Sequence, residues 1–249
     1  MKTLFLLAGM LLSQLSFAQV QEPVEDEMFI AEWDLAFPSK EAYENYQLRT
    51  TRKGKDLIIG TTALKALEVW DGVNRRNLSY CVSNTFGVHK NDVIEALKIA
   101  TQDWMDVAGV RFFYKPSEDV NCTPSNQNVM FDVRPVSFGQ YLARSFFPSY
   151  PRNNRNILID ASSFKHSFVS FSGFLRHELG HTLGFRHEHI SKNGNQQCLE
   201  DGNFMPLTVY DQFSVMHYPQ CGGKNNIENM ILSPLDKTGA SKVYPFLSL

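Results

Sequence analysis

Residues 177–187 read HELGHTLGFRH, and the spacing of their histidines constrains the local fold more than any other feature of the chain. His177 and His181 are four residues apart, so on an α-helix both side chains project from one face about one turn apart. Gly184 has no Cβ and can take the positive φ that ends a helix and turns the chain back. The segment therefore predicts a helix and a glycine turn that bring His187 towards the other two histidines.

Three neutral imidazoles around one point form a ligand set that suits Zn²⁺ and leaves one coordination position open. A water molecule bound there loses a proton near neutral pH. Glu178 follows the first histidine and can reach that water, so we expect its carboxylate to be the general base that passes the proton to a leaving amine. Histidines with packing roles alone would not explain this glycine and this carboxylate. The pattern predicts one catalytic zinc ion held by His177, His181 and His187, in an enzyme that hydrolyses peptide bonds.

The chain begins with MKTLFLLAGMLLSQLSFAQ, which is typical of a secretory signal peptide with cleavage after Ala18. Its apolar run, residues 4–12, is far shorter than the roughly 20 residues of a membrane-spanning helix, which argues against an anchor. Lys and Arg number 24 against 26 Asp and Glu, so neither nucleic acid nor an acidic membrane is an expected partner. We expect a secreted or periplasmic protein.

The chain contains four cysteines, an even number that is compatible with two disulfides in an oxidising compartment. Three pairings are possible, and four free thiols are the alternative. Proximity along the chain favours Cys81 with Cys122 and Cys198 with Cys221, because neither loop then crosses the histidine motif. The absence of any CxxC spacing argues against a cysteine-rich metal site.

Residues 19–64 read as a pro-segment or N-terminal extension, which is acidic at first and ends near the basic cluster of Arg52, Lys53 and Lys55. That cluster is either a processing site or a solvated basic loop. Residues 65–249 are predicted to form the catalytic domain.

Hydrophobic patterns predict five strands and three helices in the remainder of the chain. The strands are expected at 77–83, 110–114, 128–136, 140–148 and 156–160. The helices are expected from Asn91 or Asp92 to about Val107 before Gly109, from Ser170 to Gly184, and over 235–243. This order indicates an α+β domain with an irregular C-terminal part.

The extended histidine motif, together with SVMHY at 214–218, resembles the metzincin zinc metalloproteases and their Met-turn. The resemblance covers about residues 65–249 and implies the metzincin-type zincin fold. That fold has a mixed five-stranded twisted sheet, an active-site helix and a loop-rich C-terminal subdomain. In the family a methionine forms a hydrophobic floor under the three histidines, which implies this role for Met216.

Two branches of the family share features with this chain. HEH at 187–189 and the M-H-Y of the turn resemble astacins, which implies that Tyr218 is a metal ligand or oxyanion donor and that Glu188 is a buried carboxylate anchoring the matured N-terminus. A packed tyrosine and a solvated glutamate are the alternatives. ISKNGNQQC follows HEH where astacins have an arginine-aspartate run. YLARSFFP at 141–148 resembles the matrixin edge strand, with Arg144 in place of a structural-zinc histidine, so no second zinc is expected.

The resemblance also implies how a substrate is bound and how the enzyme is kept inactive. An extended protein or peptide segment would pair with the edge strand, and side-chain preference would depend on residues between Leu199 and Gly223. Asp34 is a candidate for the group that latches the zinc in a zymogen. We expect a monomer. The alternatives are a catalytically silent zinc- or peptide-binding module, which would usually have lost Glu178 or a histidine, and a small-molecule hydrolase, which would have a closed pocket.

Overall fold

A computed structural model describes residues 29–31, 35–37, 57–62, 66–137, 141–165, 170–191, 198 and 203–246. The predicted signal peptide, Asp34 and the basic cluster at 52–55 lie outside these residues. Within them, no helix is long and apolar enough to cross a membrane. Strands β1 (Phe29–Ala31) and β2 (Leu35–Phe37) pair only with each other, as an antiparallel hairpin.

The main sheet has five strands, as predicted. These are β4 (Leu78–Val82), β5 (Phe112–Tyr114), β6 (Phe131–Val136), β7 (Ala143–Arg144) and β8 (Asn156–Asp160). They lie in the order β5-β4-β6-β8-β7, and all neighbours are parallel except β7, which runs antiparallel to β8 at the sheet edge. The edge strand is shorter than the predicted 140–148, because the chain turns where the Tyr150 N–H donates to the Phe147 carbonyl at 2.9 Å.

Three helices are present where the sequence predicts them. They are α1 (Lys90–Met105), α2 (Phe171–Thr182) and α3 (Pro234–Val243). The predicted cap of α1 at Asn91 or Asp92 is wrong, because the preceding 3₁₀ turn leads directly into the helix and His89 already has helical φ and ψ. The helix also ends at Met105, before Val107. At the start of α2, the Ser170 side chain accepts from the Gly173 N–H at 3.1 Å.

Trp104 of α1 contacts both α2 and the turn that follows α2. The fully buried Trp104 of α1 stacks on Phe185 with ring centroids 5.3 Å apart, and its indole N–H donates to the Arg176 carbonyl of α2 at 2.9 Å. Arg176 also forms an ion pair with Asp103 of α1. The helix that carries the first two histidines is therefore fixed at both its buried face and its flank.

A second small sheet joins an N-terminal strand to the histidine motif. Strand β3 (Ile58–Gly60) pairs antiparallel with β9 (Phe204–Pro206), and Ile59 forms a bridge with Phe185. Residues 57–60 are completely or almost completely buried. This strand lies in the same body as the motif although it precedes the predicted domain boundary at residue 65, which stays a prediction.

Both predicted disulfides are present. Cys81 and Cys122 have Cα atoms 5.6 Å apart, and Cys198 and Cys221 have Cα atoms 5.8 Å apart. The pairing favoured by proximity is therefore confirmed, and the alternative of free thiols is wrong. The first bridge ties β4 to the loop before β6, and the second ties the segment after the motif to the turn after Tyr218.

Candidate metal centre and active site

The fold brings the three histidines of the motif to one point. His177 and His181 lie on α2, His187 follows the turn, and all three are almost completely buried. The Nε2 atom of His187 is 3.2 Å from the Nε2 atom of each of the other two. Potential ligand atoms of the three residues all lie within 4.8 Å of one another.

Hydrogen bonds on the far side of two rings set the orientation of their nitrogens. Nδ1 of His177 lies 2.7 Å from the Val215 carbonyl, and Nδ1 of His181 lies 2.8 Å from the Phe185 carbonyl. Because a carbonyl only accepts, these Nδ1 atoms carry the protons and the Nε2 atoms present lone pairs to the shared point. Tetrahedral zinc with bonds of about 2.1 Å separates its nitrogen ligands by about 3.4 Å. The residues present therefore fit a zinc ion.

The turn between the second and third histidines depends on glycine for two reasons. Gly184 has φ of 91°, in the left-handed region that other residues avoid. A Cβ at this position would also overlap the backbone carbonyl oxygen of Glu68. The turn is held from outside by β3, because the Gly60 N–H donates to the Gly184 carbonyl at 2.8 Å. The predicted role of this glycine agrees with the geometry.

Met216 lies in a turn directly against the histidine-bearing helix. It is fully buried, and its sulfur occupies the space that a side chain at Gly180 of α2 would need. Its carbonyl accepts from the Glu188 N–H at 2.9 Å, and the neighbouring Val215 carbonyl bonds to His177. The turn thus contacts the segments that carry the first and the third histidine.

Asp236 anchors this turn to α3. Its Oδ1 accepts from the Ser214 hydroxyl at 2.6 Å, and its Oδ2 accepts from the N–H groups of Val215 at 2.8 Å and Ser233 at 2.9 Å. Burial raises the pKa of Asp236 to about 6, against these hydrogen bonds, and the nearby charge of Asp211 adds to the increase. The carboxylate fixes the Val215 carbonyl that in turn orients His177.

Neither Asp236 nor Ser214 is among the site residues that the sequence predicts. The sequence signal was present, because Ser233 followed three residues later by Asp236 is a capping box, and both of its hydrogen bonds form. The pattern predicts where α3 begins. It does not predict that the same carboxylate reaches the Met-turn, since that contact spans more than 20 residues and depends on how α3 packs.

Glu188 is fully buried, as the resemblance to astacins implies, so the alternative of a solvated glutamate is wrong. Its Oε1 accepts from the Asp211 N–H at 2.6 Å. The charges of Glu188 and Asp211 also act on Tyr210, whose pKa they raise together with burial. The phenol of Tyr210 shares a hydrogen bond with Nε2 of His217 at 2.7 Å. Anchoring of a matured N-terminus by Glu188 stays a prediction.

The two predicted catalytic residues lie beside the histidines. Glu178 is on α2 next to His177 and is 1% exposed. The ring of Tyr218 is partly exposed, with its centroid 4.1 Å from that of His187 and 5.5 Å from that of His177. The ring of Tyr218 therefore packs against the first and third imidazoles, and Glu178 is buried on the helix that carries the first two.

Comparisons with known proteins identify the fold but no sequence relative. No protein-family model matches the chain, and no curated protein matches it. The solved structure of myroilysin is similar with a TM-score of 0.51 and 18% identity, over 73% of this chain and 97% of that chain. High choriolytic enzyme 1, a hatching enzyme zinc-protease of the medaka fish Oryzias latipes, has a TM-score of 0.47 and 16% identity over 72% and 94%. The chain has the α+β fold of the metzincins, and the fold predicted from its histidine motif is confirmed.

Proposed function

We propose that this protein is a secreted zinc-dependent endopeptidase. The observation that carries the proposal is the convergence of three imidazole Nε2 lone pairs, two of them oriented by backbone carbonyls, beside a buried glutamate on the same helix. A packing role does not require this arrangement. A catalytic metal site does.

His177, His181 and His187 would hold the ion, which when bound supplies Lewis acidity that polarises a peptide carbonyl and makes a water molecule easier to deprotonate. The carboxylate of Glu178 takes the proton from the attacking water and delivers it to the leaving amine.

Tyr218 is proposed to stabilise the oxyanion that develops on the attacked carbonyl. Its partly exposed ring lies against His187 and His177, which supports a role beside the metal ligands. A phenol donates one hydrogen bond and does not compete as a base at neutral pH. Substitution of Tyr218 by Phe is expected to lower kcat while the zinc content stays unchanged.

The substrate is proposed to be an extended segment of a protein or peptide that pairs with the edge strand β7. In the part of the chain that is described, β7 pairs with β8 on one side and with no strand on the other. An open main-chain edge accepts unfolded segments by strand addition. We further propose that the protein acts as a monomer.

The test is zinc-dependent cleavage of an unfolded protein such as casein by the purified chain. Glu178→Gln should lower kcat by about 10²-fold to 10⁴-fold, because a general base is lost, while zinc content by mass spectrometry stays at the wild-type level. Glu228→Gln, at an exposed position, is the matched control and should keep full activity.

The silent-module alternative makes the opposite prediction. It requires that the wild-type protein binds zinc and peptide without any cleavage, and that Glu178→Gln changes neither property. Full activity of Glu178→Gln, or full activity of protein stripped of zinc, would show that the proposed chemistry is wrong.

A further inference from the structure

Three buried polar atoms on or next to the last two strands of the main sheet have no hydrogen-bond partner in the described residues. They are Nη1 of Arg144, Oγ of Ser145 and Oδ1 of Asn156. Arg144 is on the edge strand β7, Ser145 follows it, and Asn156 begins the neighbouring strand β8. Because buried polar groups in folded proteins are nearly always hydrogen-bonded, each unbonded one requires an explanation, and a ligand that supplies the missing partner is one.

Of these three residues, Arg144 has the largest free-energy cost of burial. The residue is 3% exposed, and within the described chain its guanidinium forms neither an ion pair nor a side-chain hydrogen bond. An arginine does not lose its proton in a protein, so this is a buried charge without a counter-charge. A carboxylate is the group that pairs best with it, because two parallel hydrogen bonds join the planar groups.

Two aspartates lie on the same face of the sheet as Arg144, Asp132 on β6 and Asp160 on the adjacent strand β8, and both accept hydrogen bonds from other groups. Arg144, Leu158 and Arg134 lie in register across three strands and so share one face of the sheet. On that face Asp132 accepts from Arg134 Nε at 2.7 Å with one oxygen and from Arg152 Nη1 at 2.7 Å with the other. Asp160 accepts from the Ser162 N–H at 2.8 Å, and within the described chain Arg144 forms an ion pair with neither aspartate.

Strand pairing determines what an incoming peptide would present to this arginine. Residues directly opposite each other on adjacent strands point to the same face of a sheet. A peptide added to the free edge of β7 would place one of its side chains beside Arg144, on the face that carries Asp132 and Arg134. The two neighbouring peptide residues would point to the opposite face.

We propose that Arg144 is a specificity-determining residue that selects an acidic side chain, Asp or Glu, at the one substrate position opposite it. The inference rests on the proposed endopeptidase function and names part of its substrate class. Pairing takes place in a largely desolvated position, so the discrimination against neutral side chains is large.

The test is a cleavage profile over a peptide library, with Arg144→Gln and Arg144→Glu compared with the wild type. The wild type should show enrichment of Asp and Glu at a single position relative to the cleaved bond. Arg144→Gln should lower kcat/KM for such peptides by about 30-fold or more relative to neutral ones, and Arg144→Glu should favour Lys or Arg there. Enrichment of Asn or Gln in the wild type, or profiles that do not change with residue 144, would overturn the proposal.

Arg111 supplies the matched control. It is exposed, precedes β5 at the opposite edge of the sheet, and lies over the ring of Phe113 at 4.4 Å. Arg111→Gln and Arg111→Glu change the net charge by the same amounts and should leave the profile unchanged. A shift of preference in these variants would mean that overall charge, rather than Arg144, selects the substrate.

Two further measurements separate this proposal from the proposed function. Arg144→Met should have a melting temperature equal to or above that of the wild type without peptide, because it removes an unpaired buried charge, and a large decrease would show that Arg144 is already paired. In the Glu178→Gln background, an acidic peptide should bind about 30-fold more tightly than its neutral counterpart, and adding Arg144→Gln should abolish the difference. If the wild type cleaves nothing while this binding difference is found, the endopeptidase function fails and Arg144 recognition stands.

Discussion

The Met-turn region and the edge of the main sheet differ in whether their buried polar groups are hydrogen-bonded. Around the Met-turn, both oxygens of Asp236 accept hydrogen bonds, and Ser214 both donates to Asp236 and accepts from the Met216 N–H at 3.0 Å. At the sheet edge, Arg144 and Ser145 are just as buried, yet Nη1 of the first and Oγ of the second have no partner among the described residues.

This contrast supports the proposal that the metal centre is complete without a substrate whereas the sheet edge is not. Groups that must hold a metal have to be in place beforehand, since imidazoles that reorganise would weaken both metal binding and catalysis. An edge strand that binds a peptide can discriminate between peptides through polar groups that still lack a partner. A peptide that supplies the missing partner binds more tightly than one that leaves the group unpaired. Under the proposed function, the metal centre is preorganised, and a peptide ligand would complete the sheet edge.

The largest effect is expected from removing a histidine of the metal centre. His187→Ala deletes the Nε2 atom that lies 3.2 Å from both other Nε2 atoms, so zinc content should fall to near background. A metal at 100 times its Kd stabilises a fold by about 2.7 kcal/mol, so a chelator should lower the melting temperature of the wild type but not of His187→Ala. A zinc-replete His187→Ala protein would mean that the site is not the one formed by the motif.

The next largest effect is expected at the glycine turn, where two similar positions differ in their surroundings. Gly184 and Gly222 have φ of 91° and 97°, but a Cβ at Gly184 would overlap the Glu68 carbonyl whereas a Cβ at Gly222 would contact nothing within 4 Å. Gly222→Ala should cost about 1 kcal/mol from backbone strain alone. Gly184→Ala should cost about 3 kcal/mol or more and weaken zinc binding, as measured by urea unfolding and by competition with a chelator. Equal costs would show that the turn is looser than its contacts imply.

The pH dependence of stability tests how far hydrogen bonds compensate for the buried charge of Asp236. Its pKa of about 6 in the folded state is above the ordinary 3.8. The contribution of Asp236 to the free energy of unfolding is therefore complete below about pH 4 and is lost as the pH rises through 6. The two-unit difference corresponds to about 3 kcal/mol. Asn has no such titration, so the stability of Asp236→Asn relative to the wild type should improve by about that amount from pH 4 to pH 7 in urea unfolding. A constant difference across this range would show that Asp236 has its ordinary pKa.

Much of the fold and the centre of the site could be predicted from the sequence, because both depend on short-range patterns. The histidine spacing, Gly184 and the Met-turn are local sequence patterns, and each predicts one local structure. The five strands and three helices follow from the periodicity of hydrophobic residues. The chain entry into α1 and the length of β7 were not predictable in detail. They depend on a 3₁₀ turn and on a tight turn after Phe147, which carry weak sequence signals.

The supporting contacts could not be predicted because they join segments far apart in the chain. Asp236 reads as a helix cap, and nothing local shows that it holds Val215 in place. Strand β3 reads as part of an extension, and its contact with the turn at Gly184 depends on tertiary packing. Arg144 appears in the sequence only as a substitution for a histidine. Its unpaired charge becomes visible once the strands are in register.

A pair of serines gives the smallest and most direct test of the comparison. Ser214 and Ser145 are 0% and 3% exposed, so removing either hydroxyl exposes no new surface and only the hydrogen bonds differ. Ser214→Ala leaves Oδ1 of Asp236 without its donor and should cost about 1–3 kcal/mol. Ser145→Ala removes a hydroxyl without a partner in the described chain and should be neutral or stabilising by up to about 1 kcal/mol.

Equilibrium unfolding in urea measures both changes in the free energy of unfolding. An equal cost at Ser145 and Ser214 would mean that the buried polar groups of the sheet edge are hydrogen-bonded as fully as those of the Met-turn. If peptide then stabilises the wild type more than Ser145→Ala, the missing partner of that hydroxyl comes from the substrate.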